Sequence, residues 1–156
     1  MVRIAALLLA ATSLASADTQ TPQSYSGDFV IKVSYHYLLS KPEGYEADAA
    51  KKWPLVIFLH GSGERGNDLE KIKQHGPPKL IAAGQKFPAV IASLQCEPNN
   101  LWNPHGVKAV TDHLIKTERI DPSRVYLTGL SMGGFGTWDI AFEHPDTYAA
   151  IAPICG

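Results

Sequence analysis

Ser131 lies in Gly129-Leu130-Ser131-Met132-Gly133-Gly134, with a glycine two residues to either side of a hydroxyl. The spacing has a steric cause. A serine held at the tip of a turn sharp enough to thrust its side chain outward is strained, and a Cβ two positions before or after it would collide with neighbouring backbone. Gly129 and Gly133 remove those atoms. The chemistry this supports is nucleophilic attack on an acyl carbon, with backbone N–H groups and the positive end of a following helix meeting the negative charge that develops. The bland alternative is a Gly/Ser turn with no chemistry. The setting separates the two: Val125-Tyr126-Leu127-Thr128 reads as a strand running in, and an amphipathic helix from about Met132 to His144, ended by Pro145, runs out. That strand-turn-helix context is what gives G-x-S-x-G its meaning.

Acyl transfer at such a serine needs two N–H donors, one from the residue after the nucleophile and one from a loop on another strand. The apolar run Leu55-Val56-Ile57-Phe58-Leu59 delivers His60-Gly61-Ser62-Gly63-Glu64-Arg65-Gly66, whose glycines let backbone approach a carbonyl closely. The expected donors are the amides of Ser62 and Met132. A phosphate cradle is the competing use of a glycine-rich loop, but no G-K-[ST] follows. Glu64 and Arg65, with Asn67 and Asp68, are placed to line the mouth of the pocket, and Trp102 to touch substrate at the C-terminal side of the sheet.

The elements that must position these residues alternate. Asp28 to Leu39 suggests one or two antiparallel edge strands, and Leu55 to Leu59 a parallel strand buried on both faces. Asp68 can cap a helix carrying Leu69 and Ile72, broken by Gly76-Pro77-Pro78, with a short helix through Lys79 to Ala83 after it. Ala89 to Leu94 is a second buried strand. Asn103-Pro104 starts a helix in which Val107, Val110, Leu114 and Ile115 share a face. Asp121-Pro122 turns into the third strand, and Tyr148 to Ile154 supplies a fourth. Strands alternating with helices predict an α/β fold, a doubly wound and mostly parallel sheet.

The chain has 156 residues, 45% hydrophobic and 19% charged, which bounds it at one globular domain. A formal net charge of -1, with no basic run, excludes nucleic acid as a partner. Met1-Val2-Arg3, an apolar stretch from Ile4 to Leu14 and Ala15-Ser16-Ala17 read as a signal peptide over residues 1–17, cut after Ala17. The stretch falls short of the roughly 20 apolar residues of a membrane span. Residues 18–27 form a polar tail and 28–156 the domain. Secretion or a periplasmic location follows, with no membrane association after cleavage.

From about Tyr37 to Gly156 the chain resembles the secreted α/β-hydrolase esterases often labelled predicted peptidases, close to feruloyl, acetylxylan and polyhydroxybutyrate-depolymerase-type esterases. The stretches that carry the resemblance are Trp53 to Gly66, His75 to Ala83, Arg119 to Gly136 and Ala152 to Gly156. It implies hydrolysis of a carboxylic ester, small or linked to polysaccharide, through an acyl-enzyme at Ser131, with no metal or organic cofactor. A serine peptidase of the same fold uses the same residues, and nothing in the sequence distinguishes the two.

In that fold the triad runs Ser, then Asp or Glu, then His, and the later members lie beyond later strands. Residues 132–156 spell one helix and one strand, so the acid and base are not expected in this chain, which reads as the N-terminal portion of a hydrolase with little activity of its own or as a non-catalytic fragment. His144 ends a helix that carries it roughly 20 Å from Ser131. His60 is near enough but is expected to brace its loop. His36, His75, His105 and His113 have no metal-site spacing. Trp138 and Phe142 are expected in the core. The sheet order that the resemblance implies puts the strands of Cys96 and Cys155 three positions apart, some 14 Å, so both are expected to stay free.

Overall fold

The computed structural model describes residues 23–27, 30 and 32–156. The expected signal peptide and the first part of the expected edge-strand region, at positions 28, 29 and 31, lie outside the described residues. Residues 32–156 fold around one five-stranded sheet with the order β1-β3-β2-β4-β5. The strands are β1 (His36–Ser40), β2 (Trp53–Leu59), β3 (Val90–Gln95), β4 (Ile120–Leu130) and β5 (Ala150–Ile154). Among the described strands only β1 runs antiparallel, pairing Tyr37 with Leu94 on β3. The central three are in parallel register, with Ile57 opposite both Ala92 and Leu127.

The helices α1 (Gly76–Ala82), α2 (Pro104–Thr117) and α3 (Met132–Glu143) provide the crossovers. Side-chain alternation along β2 sorts the two faces. Leu55, Ile57 and Leu59 join Val107 and Leu114 of α2 and Ile140 of α3 in one buried core. Phe58 points the other way, to α1, where a Cβ on Gly76 would meet its ring at 2.5 Å. Burying aliphatic side chains of this size contributes about 1.5–3 kcal/mol each, which is why continuous apolar runs in sequence emerge as the central strands.

Local signals account for the helix starts. The Asn103 side chain accepts the N–H of Gly106 at 2.8 Å and caps α2, whose first residue is Pro104. One expectation is corrected. Gly76-Pro77-Pro78 opens α1 instead of breaking a helix, because proline in the first turn gives up only an N–H that has no helical partner. The segment before it closes just one 3-10 turn, Lys71–Gln74, and the Asp68 carboxylate is spent on the N–H of Glu70.

The sheet order puts β3 and β5 three positions apart, as expected. Cys96 is buried, Cys155 exposed, and both thiols are free. Among the described residues no helix is long and apolar enough to cross a membrane.

Candidate active site

β4 ends at Leu130 and α3 begins at Met132, leaving Ser131 alone at the bend with φ 54° and ψ −113°. A β-carbon is strained in that region, and such strain persists only where the surroundings enforce it. Here they do. The Ser131 N–H donates to the Ile154 carbonyl at 2.8 Å, and its own carbonyl accepts the N–H of Phe135 at 3.0 Å. The flanking glycines have no room for more. A Cβ on Gly129 would lie 2.2 Å from the Gly133 carbonyl oxygen, and one on Gly133 would lie 2.1 Å from that of Leu59. The serine side chain is left exposed at the C-terminal edge of the sheet.

The loop after β2 reaches the same edge. A Cβ on Gly61 would sit 3.7 Å from that of Ser131 and 3.6 Å from the Leu130 carbonyl oxygen. Ser62–Glu64 then form a single 3-10 turn. The Met132 amide is the first of α3 and has no partner within the helix. Neither it nor the Ser62 amide bonds another group among the described residues.

His60 holds this loop from beneath. The Cys96 N–H can only donate, so Nε2 of His60 accepts at 3.0 Å, and the proton sits on Nδ1, which donates to the Gly61 carbonyl at 2.6 Å. Burial pushes the imidazole below its ordinary pKa, outweighing the Gly61 carbonyl and Glu64, which raise it. A neutral ring with both nitrogens committed cannot serve as the base for Ser131. Two more ties fix the loop: Gln95 Nε2 donates to the carbonyls of Glu64 and Asp68, and the Gly66 N–H donates to the Cys96 carbonyl.

The residues expected at the pocket mouth divide. Glu64 is turned inward and only 6% exposed, its carboxylate 3.9 Å from His60 Nδ1 and 3.5 Å from His75 Nε2. Arg65 bridges two carbonyls, Ser62 through Nε and Asn100 through Nη1, and so ties the glycine-rich loop to the loop before α2. Trp102 does border the serine. Its indole N–H donates to the His60 carbonyl at 3.3 Å, its ring stacks on Tyr35, and it lies so close to α3 that a Cβ on Gly136 would meet it at 2.8 Å.

A cleft of about 310 Å³ opens from Ser131 along α3. Leu101, Trp102, Met132, Phe135 and Gly136 line it, with Asp139 the lining residue furthest along α3 from the serine. Leu101, Phe135 and Asp139 were not among the residues read from sequence as candidates. The signal that could have found the last two is helical spacing from the nucleophile: Phe135 and Asp139 lie four and eight positions after Ser131, on the same side of α3. The glycines of α3, Gly133, Gly134 and Gly136, take its buried face and correct the placing of Trp138 and Phe142, which are 42% and 77% exposed and stack on each other at 5.9 Å instead of entering the core.

No side chain among the described residues hydrogen-bonds the Ser131 hydroxyl. His105 approaches Glu143 at 3.7 Å, His144 packs on His105, and no three His, Cys, Asp or Glu residues among those described converge as a metal site.

Residues 100–156, which hold the elbow, match the prolyl oligopeptidase family. Over 130 residues the chain is 32% identical to a poly(3-hydroxyalkanoate) depolymerase C of Paucimonas lemoignei, covering 74% of this chain and 30% of the relative. It is 28% identical to a bifunctional acetylxylan esterase/xylanase of Neocallimastix patriciarum, covering 70% of this chain and 17% of that protein. Among solved structures a thermostable esterase superposes with a TM-score of 0.61 at 34% identity, covering 80% of this chain and 38% of the other. The chain thus spans 30% and 17% of the length of these two curated relatives. Its sheet order, its glycine-flanked serine and these likenesses together give it an α/β-hydrolase fold, similar to that of relatives that are serine esterases and hydrolases.

Proposed function

We propose that this chain carries the nucleophile and oxyanion-binding part of an exported serine hydrolase that cleaves carboxylic esters. Ser131 Oγ attacks the carbonyl carbon, the C–O bond to the alcohol breaks, and the acyl group remains on Ser131 until water releases it as the acid. The amides of Ser62 and Met132 donate to the carbonyl oxygen as it gains charge, and His60 keeps the Ser62 segment in place. The single observation carrying this reading is the strained, exposed Ser131 with the Gly61 backbone beside it. The serine proton passes to a general base, and no side chain among the described residues is hydrogen-bonded to Ser131 Oγ. With a triad member absent, oxyanion stabilisation and binding alone still leave roughly 10³-fold acceleration in serine hydrolases.

That residue of activity is the test. Incubation with p-nitrophenyl acetate should acetylate Ser131, seen as one added acetyl by mass spectrometry and lost in Ser131→Ala. Equal acetylation of wild type and Ser131→Ala would overturn the proposal. The match of residues 100–156 to the prolyl oligopeptidase family favours a second reading, a peptidase built on the same nucleophile; release of p-nitroaniline from peptide anilides, without any ester turnover, would select it. Export through cleavage after Ala17 is checked by N-terminal sequencing of secreted protein, which should begin at Asp18.

A further inference from the structure

The cleft beside Ser131 has walls of one character and an end of another. Trp102 offers it only ring carbon, because its indole N–H is already given to the His60 carbonyl. Met132, Leu101 and Phe135 are apolar, and Gly136 adds no side chain. Asp139 is the one charged side chain among the lining residues, eight positions along α3 from the serine, or about 12 Å at a 1.5 Å rise. The neighbouring charges are otherwise engaged. Glu143, one turn further, faces His105 at 3.7 Å, and the Arg65 guanidinium donates to the Ser62 and Asn100 carbonyls.

Resting on the reading of Ser131 as an acylated nucleophile, we infer that Asp139 is the charge-selecting residue of this site: it favours substrates with an apolar arm of about six carbons ending in a cation, and disfavours those ending in an anion. An apolar trough holds the arm at a defined depth, so the terminal group meets the carboxylate at a fixed distance and not on average across the surface. Two unit charges about 4 Å apart in water interact by about 1 kcal/mol, a rate ratio of about fivefold.

Three alkyl fluorophosphonates test this, with six-carbon arms ending in methyl, trimethylammonium or carboxylate. Ser131 Oγ attacks phosphorus, the P–O bond forms as P–F breaks, fluoride departs and the serine proton passes to solvent. Labelling rates are read by intact mass. The cationic probe should label Ser131 about fivefold faster than the neutral one and the anionic probe about fivefold slower, with the spread shrinking in 1 M salt, where screening acts within roughly 3 Å. Asp139→Asn should bring the three rates together, and Asp139→Lys should reverse their order; the side chain is exposed, so neither change endangers the fold. Equal rates in wild type, or an order that survives Asp139→Asn, would overturn the inference and leave the nucleophile assignment standing. Failure of the neutral probe to label Ser131 at all would overturn the nucleophile reading itself.

Discussion

The ring of His60 accepts the backbone N–H of Cys96 at 3.0 Å, across from β2 to the end of β3. One bond settles both the tautomer and the role of this histidine. Because Nε2 is an acceptor, Nδ1 carries the proton and pins the Gly61 carbonyl, so the loop that faces Ser131 is held by a neutral, buried ring.

Stability should therefore fall in acid. Burial holds the His60 pKa below its ordinary 6.5, so the unfolded chain binds a proton that the folded chain refuses. The contribution is fully present above about pH 6.5 and is lost as pH falls through the folded value. Urea midpoints measured from pH 8 down to pH 5 should decline below that point, and His60→Gln, itself less stable at pH 8, should flatten the decline. An unchanged slope in the variant would assign the acid sensitivity elsewhere.

Alanine at two glycines of similar appearance should behave oppositely. At Gly133 the new methyl would lie 2.1 Å from the Leu59 carbonyl oxygen, backbone against backbone, with no flexible side chain to yield. Gly133→Ala should cost more than about 4 kcal/mol or abolish folding. At Gly63 a Cβ has nothing within 4 Å, so Gly63→Ala should stay within about 0.5 kcal/mol of wild type. Thermal denaturation of both variants decides.

Replacing the nucleophile can stabilise the protein. Ser131 holds φ 54° with a side chain attached, and strain of this kind costs of order 1–3 kcal/mol. Ser131→Gly should relieve it, while Ser131→Ala keeps the Cβ and the strain. The glycine variant should unfold at a higher urea concentration than the alanine variant, both being inactive. Coincident midpoints would mean that the bend stores no strain.

The contrast between α1 and the elbow shows what could be read from residues alone. The spacing of Gly129 and Gly133 about Ser131 marks a bend whatever backbone crowds it, and the apolar runs of β2 and β3 need only burial, so both are legible. Pro77-Pro78 carries two meanings, helix break or helix first turn, and only the packing of Gly76 on Phe58 decides between them. Glu64 reads as polar and hence outward, yet the 3-10 turn rotates it under the loop toward His60 and His75. The faces of α3 are not legible in the same way, because Trp138 and Phe142 read as core by type, while the buried side of the helix is set by glycines, Gly136 making room for Trp102.

The two thiols should differ sharply in reactivity. Cys96 is 1% exposed and burial pushes its pKa up to about 11, whereas Cys155 stands in solvent after β5. The thiolate is the reactive form, so iodoacetamide at pH 8 should add one carbamidomethyl group to the native protein, at Cys155, and a second only in denaturant. Rapid labelling of Cys96 in native buffer would contradict the burial of the β3 end and, with it, the anchor of His60.

The outward face of α3 gives a last expectation. Phe135, Trp138 and Phe142, at spacings of three and four, project 62%, 42% and 77% exposed from one side of the helix. Contiguous apolar surface of this kind drives association. Among the described residues β5 pairs only with β4, so its other edge offers free backbone groups as well. The 156-residue chain should therefore self-associate at micromolar concentration and bind an apolar dye. Trp138→Lys combined with Phe142→Glu should reduce both, while leaving the fold intact because neither side chain enters the core. Sedimentation velocity checks this: a wild-type chain that stays monomeric at high concentration would show that the aromatic face is not adhesive, and an unchanged oligomer in the double variant would move the contact to the β5 edge.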